Sequence, residues 1–214
     1  MAVDYSYRFT KGIGAVKELI EKGQLGKIYA VEAVFHNAYG PDKTWFYDPD
    51  LSGGGCLIDL GSHLLDLMLF LFHAPSMEVR YANLLSKGKS IINPWETVED
   101  FAEAHLNTST GISIRLACSW KSSVGKDADI SLRVLGTEGG VCFHNVNGSF
   151  YDFQTDLYHQ NSAETIVVPP DDWGGRAIQY WARQLAKKNT FDISNYELIK
   201  TAALMEDIYK FNRR

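Results

Sequence analysis

Between Met77 and Phe153 the chain breaks into short β-branched or aromatic runs: Met77 to Leu85, Glu99 to Asn107, Gly111 to Ser119, Ile130 to Gly136, Gly139 to Asn145 and Ser149 to Phe153. Thr108 to Gly111, Gly136 to Gly139 and Asn145 to Gly148 have the composition of hairpin connections, so the runs read as an antiparallel meander. Ahead of them, Ala2 to Phe9 reads as a strand, and Thr10 caps a helix from Gly14 to Lys22 that ends at Gly23 and Gly26. Ile28 to Phe35 alternates as a second strand. After the meander, Gly174 to Ala186 and Asn195 to Phe211 return to helical spacing. Ile178, Trp181 and Leu185 share one face of the first, and Leu198, Ala202, Met205 and Tyr209 one face of the second. This segregation predicts an α+β fold, an open, mainly antiparallel β-sheet with helices packed on one face. The other face, expected to be apolar, invites a second subunit or another domain.

At 214 residues, a single domain spanning 1–214 is expected. With 26 acidic and 21 basic residues, the net charge of -5 leaves no basic surplus to hold a phosphate backbone, and nucleic acid is not an expected partner. Cys56, Cys118 and Cys142 are odd in number and widely spaced, so they read as free thiols in a reducing cytoplasm. Met1 to Tyr5 does not open a secretory signal. The most apolar stretch, Leu57 to Phe72, is shorter than a membrane span and carries Asp59, His63 and Asp66, so it is expected to be a core helix ended by Pro75, with no membrane partner.

His36 to Gly55 is a loop rich in aromatics (Tyr39, Trp45, Phe46, Tyr47), a composition common in binding loops. It leads into Ser52-Gly53-Gly54-Gly55-Cys56-Leu57-Ile58-Asp59-Leu60-Gly61-Ser62-His63-Leu64-Leu65-Asp66. At 100° per residue, Asp59, Ser62, His63, Asp66 and His73 fall in an arc of roughly 100°, a polar stripe on an otherwise apolar helix. Asp59 and His63, at i and i+4, can present a carboxylate and an imidazole to one small molecule. The glycines allow a ligand or another backbone to approach. Such a pair suits a base that takes the proton of a hydroxyl. Read structurally instead, Asp59 offsets the helix dipole and His63 is a bonded core residue. No metal is assigned to Asp59, His63 and Asp66, since no further His or Glu lies nearby in sequence.

The pattern G-G-G-x-x-x-D-x-G-x-H-x-x-D from Gly53 to Asp66 resembles the signature of the glucose-fructose oxidoreductase, inositol dehydrogenase and MocA (Gfo/Idh/MocA) family. Tyr7-Arg8-Phe9, the stretch Leu19 to Ile28, Trp45 with Asp48-Pro49, and Val134 to Gly139 agree with it. The resemblance implies the family's C-terminal domain, part of an NAD(P)-dependent oxidoreductase acting on sugars, polyols or related hydroxy compounds. It implies that Asp59 orients the reacting hydroxyl, that His63 acts as acid and base, and that Asp66 supports the helix. It also implies a homo-oligomer formed through the open sheet.

The family's glycine fingerprint and its Glu-Lys-Pro lysine are not among these residues. Gly12-Ile13-Gly14-Ala15-Val16-Lys17, with Glu32 beyond, approaches a dinucleotide fingerprint, but Lys17 stands for the third glycine and the segment reads better as a capped helix start. Residues 1–27 are accordingly expected to be the remnant of a Rossmann domain's end with its connecting helix. NAD or NADP is expected for the complete enzyme and none for this chain alone, with a separate Rossmann chain as a possible partner. Arg8, Trp45 and Lys121 are candidate substrate contacts: Arg8 for an anionic group, Trp45 for stacking on a sugar, and Lys121 where the chain leaves the sheet. His36, His105, His144 and His159 share no spacing and are assigned nothing. The competing reading is a non-catalytic ligand-binding or dimerisation module derived from such an enzyme.

Overall fold

The computed structural model describes residues 3–73, 76–91, 93, 96–187 and 196–212. Nine strands form one open sheet: β1 (Ile28–Asn37), β2 (Met77–Ser86), β3 (Lys89–Ser90), β4 (Phe101–Thr108), β5 (Ser113–Ser119), β6 (Ala128–Gly136), β7 (Gly140–Asn145), β8 (Phe153–His159) and β9 (Ser162–Val167). Their order is β3-β2-β4-β5-β1-β6-β7-β8-β9. Seven neighbouring pairs are antiparallel, and β1 with β5 is parallel. The expected α+β architecture with a mainly antiparallel open sheet is therefore observed.

Alternation turns one side of the sheet into a core face, with Val31, Ala33 and Phe35 on β1, Ile114, Leu116 and Cys118 on β5, and Ile130, Leu132 and Val134 on β6 all buried. Against it lie α1 (Lys11–Glu21), α3 (Ser62–Phe72) and α5 (Tyr196–Phe211). A one-turn α2 (Pro49–Ser52) and a π-helical turn (Leu57–Gly61) precede α3. α3 packs against α5, the N-terminal turn, α1 and β1, which is why Leu64, Leu65, Leu67, Met68, Leu69 and Leu71 are buried around most of its circumference. Pro49–Phe72 is apolar and long enough to cross a membrane by composition, and most of it is buried inside the fold.

Several expectations need correction. The strand expected over Ala2 to Phe9 is not formed: Tyr5 N–H turns back to the Val3 carbonyl at 3.0 Å, and a 3-10 turn, Ser6–Phe9, follows. The tight turn sends Tyr7 inward and lets Arg8 reach Asp66, which a flat strand would not do. Ser149 to Asp152 forms a side-chain-bonded turn, with the Asn145 amide donating to the Ser149 carbonyl and Val146 N–H to that of Asp152. The strand expected there is β8, beginning at Phe153, and β9 follows it on an exposed edge. α5 buries Thr201, Leu204, Ile208 and Tyr209 and leaves Ala202 exposed. α3 stops at His73, whose left-handed backbone (φ 44°) ends the helix; Met1, Ala2, Pro75 and Asn195 lie outside the described residues.

The open face is charged rather than apolar. Glu32 on β1 bridges Arg115 on β5 (3.3 Å) and Arg133 on β6 (3.2 Å), and His144 meets Asp156 at 2.8 Å. The reason lies in the period of two: the positions alternating with the core residues of the central strands include Glu32, Arg115 and Arg133, which neutralise one another across the sheet.

Candidate functional site

The run into α3 begins with backbone N–H groups that have no partner of their own. The Glu99 carboxylate supplies one, its Oε1 accepting from Gly55 and Leu57 N–H at 2.9 Å each. A Cβ on Gly55 would lie 2.0 Å from the Glu99 carbonyl oxygen, so the glycine serves the approach of another backbone.

The π turn adds a residue to one helical turn, and π turns often occur at functional sites. A uniform 100° wheel therefore misplaces the polar stripe. Asp59 turns to Trp120 beyond β5, whose indole Nε1–H donates to its Oδ2 at 2.9 Å. His63 lies between Tyr5 and Tyr7, edge-on to both at centroid distances of 5.6 and 5.4 Å. Asp66 is fully buried and engaged by Arg8, whose Nε and Nη2 donate at 2.6 and 2.5 Å. His73 is exposed at the helix end.

Asp59 and His63 are both partly exposed, Asp59 held by Trp120 and His63 edge-on to Tyr7; among the described residues no hydrogen bond joins them directly. Burial raises the Asp59 carboxyl above its ordinary range, against the Trp120 hydrogen bond, which favours the anion. Burial lowers the His63 imidazole, with Asp4 opposing it, so the ring is neutral near pH 7. Its Nδ1 is buried with no hydrogen-bond partner. The Tyr7 hydroxyl is pushed well up by burial, with Tyr151 and then Asp59 adding to the effect. This is a neutral imidazole beside a carboxylate that ionises reluctantly, a set able to bind a hydroxyl and take its proton.

The other candidates fall in two places. The guanidinium of Arg8 is taken up by Asp66 and lies 5.0 Å over Phe70, so it anchors the N-terminal turn to α3 rather than facing an open site. Trp45 is exposed and stacked on Phe46 at 3.8 Å. Lys121, with left-handed backbone (φ 56°), holds its ammonium 4.5 Å above Tyr47. Phe46 and Tyr47 both rest edge-on against Trp120, so the aromatic loop and Lys121 form one rim beside Asp59. Sequence reasoning placed Trp120 with Lys121 where the chain leaves the sheet, and missed Tyr7, Trp173 and Glu99 as parts of this neighbourhood. Trp173 stacks on Tyr7 at 5.5 Å, and its indole donates to the Tyr151 carbonyl. The position of Trp120 at the end of a core strand was the one available signal.

The Gly12 segment does not suit a dinucleotide. A Cβ there would sit 2.6 Å from Phe143 Cδ2 and from Thr155 Oγ1, so Gly12 packs against β7 and β8 instead of facing a pyrophosphate. Two N–H groups of the helix start are taken within the fold: Ile13 donates to Thr10 Oγ1 at 3.2 Å and Lys11 to Asp171 at 2.7 Å. Among the described residues no three His, Cys, Asp or Glu side chains gather as a metal site. A depression lined by Glu32, Glu103, His105 and Arg115 lies on the open face of the sheet, away from Asp59.

The chain matches the profile of the GFO/IDH/MocA C-terminal domain over residues 13–142. Glucose-6-phosphate 3-dehydrogenase of Bacillus subtilis (strain 168) is 27% identical over 155 residues, 70% of this chain and 44% of its own. Glucose-fructose oxidoreductase domain-containing protein 1 of Mus musculus is 34% identical over 195 residues, 88% of this chain and 42% of its own. A 3-ketoreductase from Actinomadura kijaniata, solved with NADP and TDP-benzene, superposes with a TM-score of 0.78 at 19% identity over 97% of this chain and 61% of that one. The chain thus spans less than half the length of these two relatives. At 19% identity the structural likeness speaks to the fold alone.

Proposed function

This chain belongs to the Gfo/Idh/MocA family, whose C-terminal domain it carries, and from that premise we propose that it is the substrate-facing part of an NAD(P)-dependent oxidoreductase acting on a sugar, polyol or related hydroxy compound. The observation that carries the reading is a partly exposed carboxylate on the π turn, Asp59, followed one turn on by the partly exposed His63, whose Nδ1 is buried without a partner. Asp59, fixed by the Trp120 indole, accepts a hydrogen bond from the substrate and orients it. His63, kept neutral by burial, takes the proton of the reacting hydroxyl. Trp45 stacks on the sugar and Lys121 binds its rim-facing oxygens, both resting on the loop packed against Trp120. The nicotinamide dinucleotide, where it is bound, supplies the hydride chemistry.

In this reading the dinucleotide is held by a Rossmann domain other than these residues, in the same polypeptide or in a separate chain, and residues 1–27 connect to it. The packed Gly12 and the engaged Lys11 and Ile13 N–H groups of α1 support that division. So does α4 (Arg176–Lys187), which leaves Ile178, Trp181 and Leu185 exposed while Tyr180 touches Phe9 near the N-terminal turn. Association with a second copy through the open face belongs to the same reading, as does a reducing cytoplasm, which three buried free thiols suit. The second reading, a binding or dimerisation module without catalysis, shares the packed Gly12 and differs in requiring no proton transfer at His63.

Titration of the 15N-labelled chain with glucose, glucose 6-phosphate and inositol is expected to shift the His63 and Trp120 ring resonances, while NADH and NADPH show no fluorescence change. Micromolar nucleotide binding overturns the division of labour. Sugar shifts confined to residues away from Asp59 overturn the site. With a Rossmann partner supplied, His63→Ala lowers turnover if the chain is catalytic, and no turnover in the unaltered chain favours the module reading.

A further inference from the structure

We propose that Glu99, with Tyr209, is a positioning residue for this site, clasping the π turn to the strand end that carries Trp120 so that Asp59 meets the indole. The inference rests on Asp59 being the working carboxylate. Glu99 is fully buried. Three donors converge on its Oε1: Gly55 N–H, Leu57 N–H and the Tyr209 hydroxyl, at 2.9, 2.9 and 2.8 Å. Its own carbonyl accepts Cys56 N–H at 3.0 Å. Glu99 therefore holds three successive residues at the mouth of the π turn, from a position 44 residues away in the chain.

The neighbouring residue completes the connection. The Asp100 carbonyl accepts the Trp120 backbone N–H at 2.7 Å, and the indole of Trp120 is the donor to Asp59. One dipeptide thus fixes both partners of the Asp59–Trp120 bond, the turn through Glu99 and the indole through Asp100. The closeness is built in on the other side as well, since a Cβ on Gly54 would come within 2.2 Å of the Tyr209 hydroxyl.

A helix start is ordinarily capped by a short polar side chain at its own N-cap. Here Cys56 provides no such bond, and the acceptor comes instead from a buried carboxyl group with a desolvation cost. Burial raises Glu99 above the ordinary carboxylate range, and its Oε2 has no partner. The work is done by one acceptor oxygen, so glutamine can replace it and alanine cannot.

The test follows the indole N–H of Trp120, assigned from its loss in Trp120→Phe. Asp59→Ala removes the acceptor and moves this resonance. Glu99→Ala is expected to reproduce that movement and Glu99→Gln to restore the original position, with Tyr209→Phe giving a smaller displacement in the same direction. Where Glu99→Ala does not fold, Tyr209→Phe and Glu99→Gln decide. A Glu99→Ala protein that melts at lower temperature with the indole resonance unmoved overturns the proposal, as does an unmoved resonance in Tyr209→Phe or a Gln variant that matches Ala. Failure of the functional reading looks different: sugars then leave Asp59 and His63 unperturbed while the clasp responds as described.

Discussion

At the start of α1, Thr10 caps the helix from within its own sequence and Gly12 lets the first turn press onto Phe143 and Thr155. At the start of the π turn, Gly55 admits the backbone of Glu99, whose side chain caps from across the fold. Both segments show glycines ahead of a helix, and both invite reading as a cradle for phosphate. At both, acceptors within the fold already take N–H groups of the first turn, those of Lys11 and Ile13 in α1 and those of Gly55, Cys56 and Leu57 at the π turn. The difference lies in the polar groups carried behind the glycines. α1 carries Lys17, laid over Phe70, and the exposed Glu18, whereas the π turn carries Asp59 and leads on to His63 beside an aromatic cluster. Glycine before a helix reports a close approach; the side chains that follow report what the approach is for.

The contrast breaks most sharply at Gly55. Gly55→Ala drives a Cβ into backbone that cannot turn aside, and urea unfolding is expected to show a loss of about 3 kcal/mol or a failure to fold. At Gly12 the obstructing atoms belong to side chains, which can yield, so Gly12→Ala is expected to cost about 1–2 kcal/mol in the same measurement. Loss of the local cap in Thr10→Ala is expected to cost about 1 kcal/mol. Gly14 has open space where a Cβ would go, so Gly14→Ala is expected to stabilise by about 0.5–1 kcal/mol through helix propensity. A thermal melt that places these four in another order breaks the distinction between backbone-limited and side-chain-limited glycines.

Acid separates the two regions by smaller amounts. His63 is lowered by burial, so its contribution is fully present above the unfolded value near 6.5 and is lost as pH falls through the folded value. At pH 6.5 a single such group costs at most about 0.4 kcal/mol, so the stability of the native chain should decline from pH 7 to 5 more steeply than that of His63→Gln. Asp171 caps α1 from the side. Burial works to raise it, yet hydrogen bonds from Arg176 and Lys11 N–H hold it below its ordinary range. Its contribution is present above the unfolded value near 3.8 and fades only below that. Parallel acid curves for Asp171→Asn and His63→Gln would contradict this assignment of windows.

Much of the architecture was legible because hydrophobic period is a local property. β4 alternates buried and partly or fully exposed positions as its sequence implies, and α3 reads as a buried helix from composition alone. β9 was hidden because Ser162 to Glu164 are all exposed and carry no apolar rhythm. The N-terminal turn misled for the opposite reason: Val3, Tyr5, Tyr7 and Phe9 alternate like a strand, although Tyr7 is drawn inward by Trp173 and His63. Asp59 and His63 stood out as polar residues on an apolar helix. Their arrangement did not, since the extra residue of the π turn is accommodated by Glu99, far away in sequence.

The parallel pairing of β1 with β5 bears on how the chain is made. β1 has neighbours only at Ser113–Ser119 and Ala128–Gly136, so on a ribosome it emerges long before either side of it can be filled. Its Val31, Ala33 and Phe35 face the surroundings through that interval, so folding waits on distant pairing, the kind of step that is slow and leaves a strand edge open to aggregation.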